Sequence, residues 1–250
     1  MAITIKSARE IELMREAGRI LGEVHNRLAE EIKPGISTYE IDRIGEEMIR
    51  SYSCVPSFLK YQGYPASICT SVNDRVVHGI PAKKEILKEG DIISLDAGVI
   101  YRGYHSDAAR TVAVGQISPE AQKLMDVTKQ SFFEGIKMAV AGNHLHDIYN
   151  AIDDYVTAFG YGMVREHTGH GIGTRLHEDP VIPNYHQKRK GVLLEPGMTL
   201  AVEPMITAGN PKVDWLEDDW TVVTRDGSFA AHYENTILIT DGEPEILSLI

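Results

Sequence analysis

Cysteine is scarce in this 250-residue sequence, where Cys54 and Cys69 are the whole complement. Two cysteines are too few for a disulfide framework, so we expect a reducing, cytoplasmic environment. Residues 1–10 lack an apolar signal region and no run of 18 apolar residues occurs, which argues against secretion and membrane insertion. Positive charge is also in deficit, and the net charge is -11. We therefore expect neither nucleic acid nor an anionic membrane as a main partner.

What the sequence does contain is enough apolar material for a full core. At 43% hydrophobic residues over 250 positions, one α/β domain and two domains are both compatible with the length. Capping boxes at Ser7–Glu10 and Ser37–Glu40 predict two N-terminal helices within about 7–51. Two more helices are predicted, from Ser118-Pro119 to about residue 140 and over 146–159. Helices followed by a carboxylate-bearing strand recur in each half, which indicates one two-lobed domain without a linker.

The centre of the sequence predicts a β-hairpin. Two β-rich runs flank Tyr101-Arg102-Gly103, which favours a three-residue loop with Gly103 in the left-handed bulge position. Residues whose numbers sum to about 203 would then face each other, which places Asp96 opposite Asp107 at roughly 5 Å. Two close carboxylates in an apolar hairpin need a shared proton, a cation between them or salt-bridge partners on a solvated face. The hairpin alone leaves these alternatives open.

Further ligand-type residues follow in three downstream segments. The glycine-rich loop His167-Thr-Gly-His170-Gly-Ile-Gly-Thr carries two histidines three positions apart. Glu203 and Glu234 each lie in an apolar strand, where an unpaired carboxylate would cost several kcal/mol of desolvation. A hydrogen-bonded glutamate explains either one singly, but with Asp96, Asp107 and a histidine they form a coherent ligand set. Because this set exceeds one four-coordinate zinc, we predict two divalent ions with shared carboxylates and a hydrolytic reaction.

At these residues the sequence closely resembles the type I methionine aminopeptidases of metallopeptidase family M24, over essentially its full length. The matching motifs, specific in their ordered combination, are SVNDRVVHGIP, LDAGVIYRGYHSDAARTVAVG, HTGHGIGTRLHEDP, LEPGMTLAVEPM and WTVVTRDGSFAAHYENTILIT. The resemblance implies a single α/β (α+β) domain over 1–250 with the pita-bread fold. In that fold, two pseudo-symmetric lobes share a central antiparallel sheet that helices cover. The N-terminal helices would span about 7–51 and the catalytic lobes about 66–250.

For the metal centre, the resemblance implies two divalent ions and five ligands. Asp96 would chelate one ion, and Asp107 and Glu234 would bridge both. His170 and Glu203 would complete the site of the second ion. Cobalt, manganese, iron and zinc all accept such ligands, so the sequence does not name the metal.

The activity implied by the resemblance is removal of the N-terminal methionine from nascent proteins and peptides by metal-activated water. Glu203 matches the residue proposed to shuttle the proton. His78 and His177 match residues that are expected to contact the substrate amide and stabilise the tetrahedral intermediate. The resemblance also implies a substrate-binding pocket, in which six residues would join these two histidines: Phe58, Tyr61, Tyr64, Cys69, Leu176 and Trp220.

Two positions depart from the family pattern. Phe58 stands where a small residue is usual, and Leu176 stands where an aromatic residue usually precedes the active-site histidine. The stretch GYHSDAARTVAVG is also similar to the sister branch of proline dipeptidases, whereas SVNDRVVHGIP is typical of the methionine-removing branch. A Xaa-Pro dipeptidase is therefore the alternative function. A non-catalytic pita-bread binding protein is a third, although such relatives generally lose the ligands that this chain retains.

The remaining expectations concern partners and single residues. Nascent polypeptide N-termini are the expected substrates, docking on the ribosome is left open, and we expect a monomer. A second hairpin is predicted over 221–240, with Arg225-Asp226-Gly227 at its bend. His105 shares the parity of Asp107, which places it on the ligand face of its strand. The expected structural, cap, surface or core residues are His167, His144, His146, His186, Cys54 and Met205.

Overall fold

The structure, a computed structural model, describes residues 3–249. Within that range, no helix combines the length and the apolarity that a bilayer span requires. The helices are α1 (Ala8–Glu31), α2 (Thr38–Ser51), α3 (Pro119–Ile136) and α4 (Leu145–Thr157). The strands are β1 (Val55–Pro56), β2 (Ile68–Val72), β3 (Arg75–Val77), β4 (Ile92–Tyr101), β5 (Tyr104–Ala113), β6 (Gly162–Met163), β7 (Gly169–Gly171), β8 (Glu178–Ile182), β9 (Thr199–Val202), β10 (Met205–Thr207), β11 (Val213–Trp215), β12 (Val222–Thr224), β13 (Ala230–His232), β14 (Glu234–Leu238) and β15 (Glu245–Ile246).

The helices begin where the capping signals predict. The Ser7 backbone N–H donates to Glu10 Oε2 at 2.7 Å, and Ser7 Oγ accepts from the Glu10 N–H, which completes the predicted capping box of α1. Ser37 Oγ accepts from the Glu40 N–H at 3.1 Å in the same way at α2. Helix α3 ends at Ile136, several residues earlier than predicted, because the chain turns there with a hydrogen bond from the Met138 N–H to the Gly135 carbonyl.

The main sheet is antiparallel at every pairing between its described strands. Its order is β1-β4-β5-β14-β9-β7-β8, with β2 also paired to β4 and β15 to β14. Strands from the first and second halves of the sequence meet where β5 pairs with β14. The strand pairs that carry the predicted ligands therefore lie side by side at the centre of the sheet.

Period-two alternation divides the sheet into an apolar face and a polar face. Leu95 and Ala97 pack with Leu21 and Val24 of α1 in one buried cluster. Farther along the sheet, Leu200, Val202 and Ile237 pack with Ile148 and Ile152 of α4 in a second cluster. The helices thus cover one face, as predicted. The residues of opposite parity, which include the predicted carboxylates, are left to the other face.

The second predicted hairpin, over 221–240, is wrong. Strand β12 pairs with β3 and β11, whereas β13 pairs with β10, so the turn at Arg225-Asp226-Gly227 joins two different sheets. The residues after the turn bond to distant partners, since the Ala230 N–H donates to the Asn73 carbonyl. Non-local strands thus satisfy the backbone groups that a local hairpin would have paired.

Candidate metal centre

The predicted ligands lie on the polar face of the sheet, on neighbouring strands or, for Glu203, directly after one. Asp96 is the cross-strand partner of Ala109, and Ala109 is in turn the partner of Glu234. Glu203 follows Val202, which pairs with Asn235, so the same register brings Glu203 next to Glu234. Asp96, Ala109 and Glu234 thus form one row across three strands. Since the middle residue is an alanine, its small side chain leaves space between the two carboxylates.

The central hairpin has a different register from the predicted one. Tyr101 pairs with Tyr104, so the loop has two residues, and Asp96 faces Ala109 while Asp107 faces Gly98. Both loop residues are left-handed, with φ of 48° at Arg102 and 87° at Gly103, as in the two-residue turns that match strand twist. An arginine rarely takes this conformation, whereas the predicted three-residue loop required it only at Gly103. Asp96 and Asp107 still share a face, as diagonal neighbours.

His170 is held in a defined tautomer. Its Nδ1 lies 2.8 Å from the Gly171 carbonyl, so Nδ1–H donates there and Nε2 keeps a free lone pair. That Nε2 lies 3.6 Å from Glu203 Oε1 and 3.9 Å from Asp107 Oδ2. A backbone acceptor on one ring nitrogen is the usual support for a histidine that binds a metal through the other.

The oxygen atoms of this cluster fit divalent cations. Asp96 Oδ1, Asp107 Oδ1 and Glu234 Oε1 are buried, and none has a hydrogen-bond partner among residues 3–249. Such orphaned carboxylate oxygens are costly unless a proton or a cation faces them. Two groups of side chains bring their ligand atoms within 4.8 Å of one another. The first group is Asp107, His170 and Glu234, and the second is Glu203, His232 and Glu234. Because Glu234 belongs to both groups, the donor set suits adjacent cation sites.

The electrostatics of the cluster favour protons when no cation is bound. Burial raises the pKa of Asp96 to about 7, although the hydrogen bond that it shares with Asp107 acts to lower this pKa. Burial first, and neighbouring carboxylates second, raise the pKa of Asp107, Glu203 and Glu234 well above their ordinary values. Burial lowers the pKa of His170 to about 3, so this imidazole is neutral. Without a cation, burial therefore favours the protonated form of these carboxylates and the neutral form of the imidazole.

We expect cation binding to release protons from this cluster. Ligating carboxylates must be ionised, so each ion bound to chelator-treated protein at pH 6.5 should release about one proton or more. Calorimetric titrations with Co²⁺ in two buffers of different ionisation enthalpy measure this number. The release should decrease as the pH rises past 7, because Asp96 then ionises without an ion. A release that stays at zero between pH 6.5 and 8.5 would contradict the assignment.

One cavity of about 160 Å³ unites the carboxylate cluster with the predicted substrate pocket. Tyr64 donates from its hydroxyl to the Gly79 carbonyl at 2.8 Å, and its ring meets Trp220 edge-on at 5.1 Å. Gln62, which was not predicted from the sequence, also borders the cavity. The predicted residues that line it are Phe58, Tyr61, Tyr64, Cys69, His78, Asp96, Asp107, His170, Leu176, His177, Glu203, Trp220 and Glu234.

Two histidines line the cavity, and their positions are fixed by the backbone conformation at His78 and by a side-chain contact at His177. His78 has a left-handed φ of 59°, which costs energy in a non-glycine residue and is often found at functional sites. The next residue, Gly79, passes so close to strand β2 that a Cβ there would lie 2.2 Å from the Thr70 carbonyl oxygen. His177 Nδ1 lies 2.7 Å from the Tyr61 hydroxyl, and its ring is 4.2 Å from that of His170. The fold therefore brings both rings to the same cavity, and their catalytic roles stay predictions.

Phe58 and Leu176 line the same cavity and belong to the same buried cluster. The Phe58 ring rests against Gly98, where an added Cβ would lie 3.1 Å from Phe58 Cε1. The large side chain that replaces the usual small one is thus accommodated by an adjacent glycine. This placement supports the interpretation that an aromatic ring has moved from one pocket wall to the other.

A double-mutant cycle should show that Phe58 and Leu176 compensate for each other. Leu176→Phe should overfill the pocket and raise KM for methionyl peptides, and Phe58→Cys should leave the pocket loose, since volume-conserving changes are best tolerated. The double variant should recover much of the lost kcat/KM, measured with Met-Ala-Ser. Strictly additive losses would mean that the two side chains act separately.

Three other histidines lie near the candidate site. His105 Nδ1 lies 3.0 Å from Ser57 Oγ, so its polar contact is to the residue that precedes Phe58 of the cavity lining. The ring of His167 packs between those of His78 and Trp215, at 5.1 and 6.0 Å. His232, whose ligand atom groups with those of two glutamates, was not predicted. Its signal was parity, because the second residue before Glu234 on an extended strand shares the face of Glu234.

Comparisons with known proteins agree with this geometry. The model of metallopeptidase family M24 matches residues 12–241. The methionine aminopeptidase of Clostridium acetobutylicum is 56% identical to this chain over 247 residues, which is 99% of each protein. The crystal structure of methionine aminopeptidase from Thermotoga maritima is 41% identical and matches 100% of both chains with a TM-score of 0.98. This similarity confirms the predicted pita-bread fold.

A more distant similarity concerns the alternative function. The Xaa-Pro dipeptidase from Bacillus anthracis matches 98% of this chain at 28% identity and a TM-score of 0.77, but only 61% of the dipeptidase is covered. The shared part is the catalytic fold, and the rest of the dipeptidase has no counterpart in the match. Both the identity and the coverage favour the methionine-removing branch.

Proposed function

We propose that this chain, which belongs to metallopeptidase family M24, is an aminopeptidase that removes the N-terminal methionine from peptides and nascent proteins. The observation that carries the proposal is the single cavity in which the carboxylate cluster adjoins an apolar pocket. A pocket that binds one side chain beside a hydrolytic centre suits removal of one residue at a time. Full-length relatives with 49 to 56% identity that are named methionine aminopeptidases support the same activity.

We further propose that the centre holds two divalent ions. Glu234 and Asp107 would contact both ions, because their oxygens face the other ligands and lack partners among the described residues. Asp96 would bind one ion, while His170 and Glu203 would complete the other. When bound, the ions would lower the pKa of a water molecule and polarise the scissile carbonyl. Cobalt, manganese, iron or zinc would satisfy these ligands.

The surroundings of Glu203 support a role in proton transfer during hydrolysis. Burial, together with the charges of Asp107 and Asp96, raises its pKa well above the ordinary value, so it accepts a proton readily. Its backbone carbonyl accepts from Asn184 Nδ2 at 3.0 Å, which anchors the strand end that carries it. We propose that Glu203 takes a proton from the attacking water and returns it to the leaving amine.

His78 and His177 would act on the substrate as neutral donors. Burial lowers the pKa of His78 to about 3, so its ring carries one N–H and no charge near pH 7. Tyr61 can donate to Nδ1 of His177, which would leave the Nε2–H of His177 for the carbonyl oxygen of the substrate. Donors that are fixed before reaction stabilise the negative charge that develops on that oxygen.

A comparison of peptides tests the proposed activity. The protein loaded with Co²⁺ or Mn²⁺ should release free methionine from Met-Ala-Ser and should leave Ala-Pro intact. The Glu234→Ala protein, purified identically, controls for contaminating peptidases. Cleavage of Ala-Pro in preference would establish the Xaa-Pro dipeptidase alternative. A metal-loaded protein that cleaves neither peptide would favour a binding role.

We propose nascent polypeptide N-termini as the physiological substrates and a monomer in the cytoplasm as the working form. The net charge of -11 supports the absence of direct nucleic-acid binding. Light scattering at micromolar concentration would test the monomer, and a dimer would contradict this part of the proposal.

A further inference from the structure

We propose that His232 is a further ligand of the divalent-ion centre and binds through Nε2 beside Glu203 and Glu234. This proposal rests on the proposed metal-dependent function and adds a nitrogen ligand that the ligand set predicted from the sequence does not contain. His232 is the last residue of β13, two positions before Glu234 and opposite Met205 of β10.

The distances around His232 Nε2 suit an intervening ion better than direct hydrogen bonds. Nε2 lies 3.8 Å from Glu203 Oε2 and 3.8 Å from Glu234 Oε2. Hydrogen bonds of this kind measure about 2.7 to 3.2 Å, so both separations are too long. Two ligand atoms that each lie about 2.0 to 2.2 Å from one ion can be up to about 4.4 Å apart. A cation between the imidazole and the carboxylates therefore fits the observed separations.

The burial of His232 also indicates a ligand that is not part of the chain. The residue is 1% exposed, and neither ring nitrogen has a hydrogen-bond partner among residues 3–249. His25 and His170, which are also buried, differ in that each places one ring nitrogen 2.8 Å from a backbone carbonyl. A buried imidazole without partners loses its hydration and gains nothing in return. An ion at Nε2 would compensate for that loss.

The backbone fixes the position of this ring. The His232 N–H donates to Thr111 Oγ1 at 2.9 Å, and Thr111 Oγ1 donates to the His232 carbonyl at 3.0 Å. The following residue continues the strand register, since the Tyr233 N–H donates to the Pro204 carbonyl. Glu203 and Glu234, the two carboxylates near the ring, directly precede Pro204 and follow Tyr233, so this backbone pairing also fixes their positions. A ligand site on such strands is largely formed before the ion arrives.

A second imidazole would change the metal preference of the centre. The known preference of nitrogen ligands for cobalt and zinc over manganese means that His232 should favour Co²⁺ more than Mn²⁺. His232→Gln should therefore weaken Co²⁺ binding by about 10-fold or more and weaken Mn²⁺ binding less. Calorimetry on chelator-treated protein gives both affinities, and circular dichroism verifies that the variant is folded.

Proton NMR of the Co²⁺-loaded protein tests the ligand directly and needs no activity. Each imidazole bound to Co²⁺ gives a strongly shifted, solvent-exchangeable ring N–H signal, so the unmodified protein should show one from His170 and one from His232. His232→Gln should lose one signal and keep the other. His167→Gln, which removes a half-buried histidine outside both groups of ligand atoms, should keep both.

The outcomes separate this proposal from the proposed function. A Co²⁺-loaded protein that releases methionine but shows one shifted signal, unchanged by His232→Gln, would overturn the ligand role and leave the function intact. Two signals in a protein that does not cleave Met-Ala-Ser would support the ligand and contradict the function. Because the unmodified protein alone distinguishes one signal from two, an unfolded variant would not prevent the test.

Discussion

Replacing Glu234 or Asp107 with alanine should abolish peptide turnover and lower the bound metal at the same time. Both residues are at most 4% exposed, and each has a buried oxygen without a partner among the described residues. Glu234 belongs to both groups of ligand atoms, so its loss should weaken both cation sites. We expect kcat for Met-Ala-Ser to fall below detection and the metal content, measured by atomic absorption, to fall well below that of the unmodified protein.

Two further variants make this prediction specific. Glu234→Gln keeps the size of the side chain but removes its charge, and should lose metal as the alanine variant does. Glu243→Ala removes an exposed glutamate just before β15 and should change neither metal content nor turnover. Full activity in either the Glu234→Ala or the Asp107→Ala protein would show that the bridging assignment is wrong.

Replacing His78 or His177 with alanine should lower kcat/KM by roughly 10² or more while the metal stays bound. Removing a positioned donor or proton-transfer group has an effect of this size. Neither residue belongs to the two groups of ligand atoms, although both line the cavity above them. Steady-state kinetics with Met-Ala-Ser, together with metal analysis of the same samples, measures both quantities.

The environment of each histidine provides graded controls. Tyr61→Phe removes the hydroxyl beside His177 Nδ1 and should reduce kcat/KM by less than His177→Ala. His186→Ala removes an exposed histidine that pairs with Asp154 and should leave both quantities unchanged. A loss of metal in step with the loss of activity would mean that His78 or His177 is a ligand instead.

Local signals made the helices and the candidate ligand residues recognisable in the sequence. Capping at Ser7 and Ser37 depends on residues three positions away, so the start of each helix can be read directly. The candidate ligands were recognisable because a carboxylate between apolar neighbours, as at Glu203, needs a compensating partner. That argument names a residue that requires a ligand, but it does not say which strands lie next to each other.

Register was the least predictable property. The central hairpin closes two residues away from the predicted register because Arg102 adopts a left-handed conformation, so Asp96 and Asp107 lie diagonally. The second predicted hairpin does not form, since β13 pairs with β10 and not with β12. Strand pairing is decided by packing and by distant backbone partners, which a short window of sequence does not contain.

The sequence by itself determined most of the residues of the candidate site, the helix starts and the alternation that separates apolar from polar faces. Each of these depends on residue type and on spacing within a few positions. The tertiary structure alone decided that Ala109 separates Asp96 from Glu234, that Phe58 rests against Gly98, and that His232 lies within 4 Å of two glutamates. Those proximities join segments far apart in the chain, and only the closure of the whole sheet brings them together.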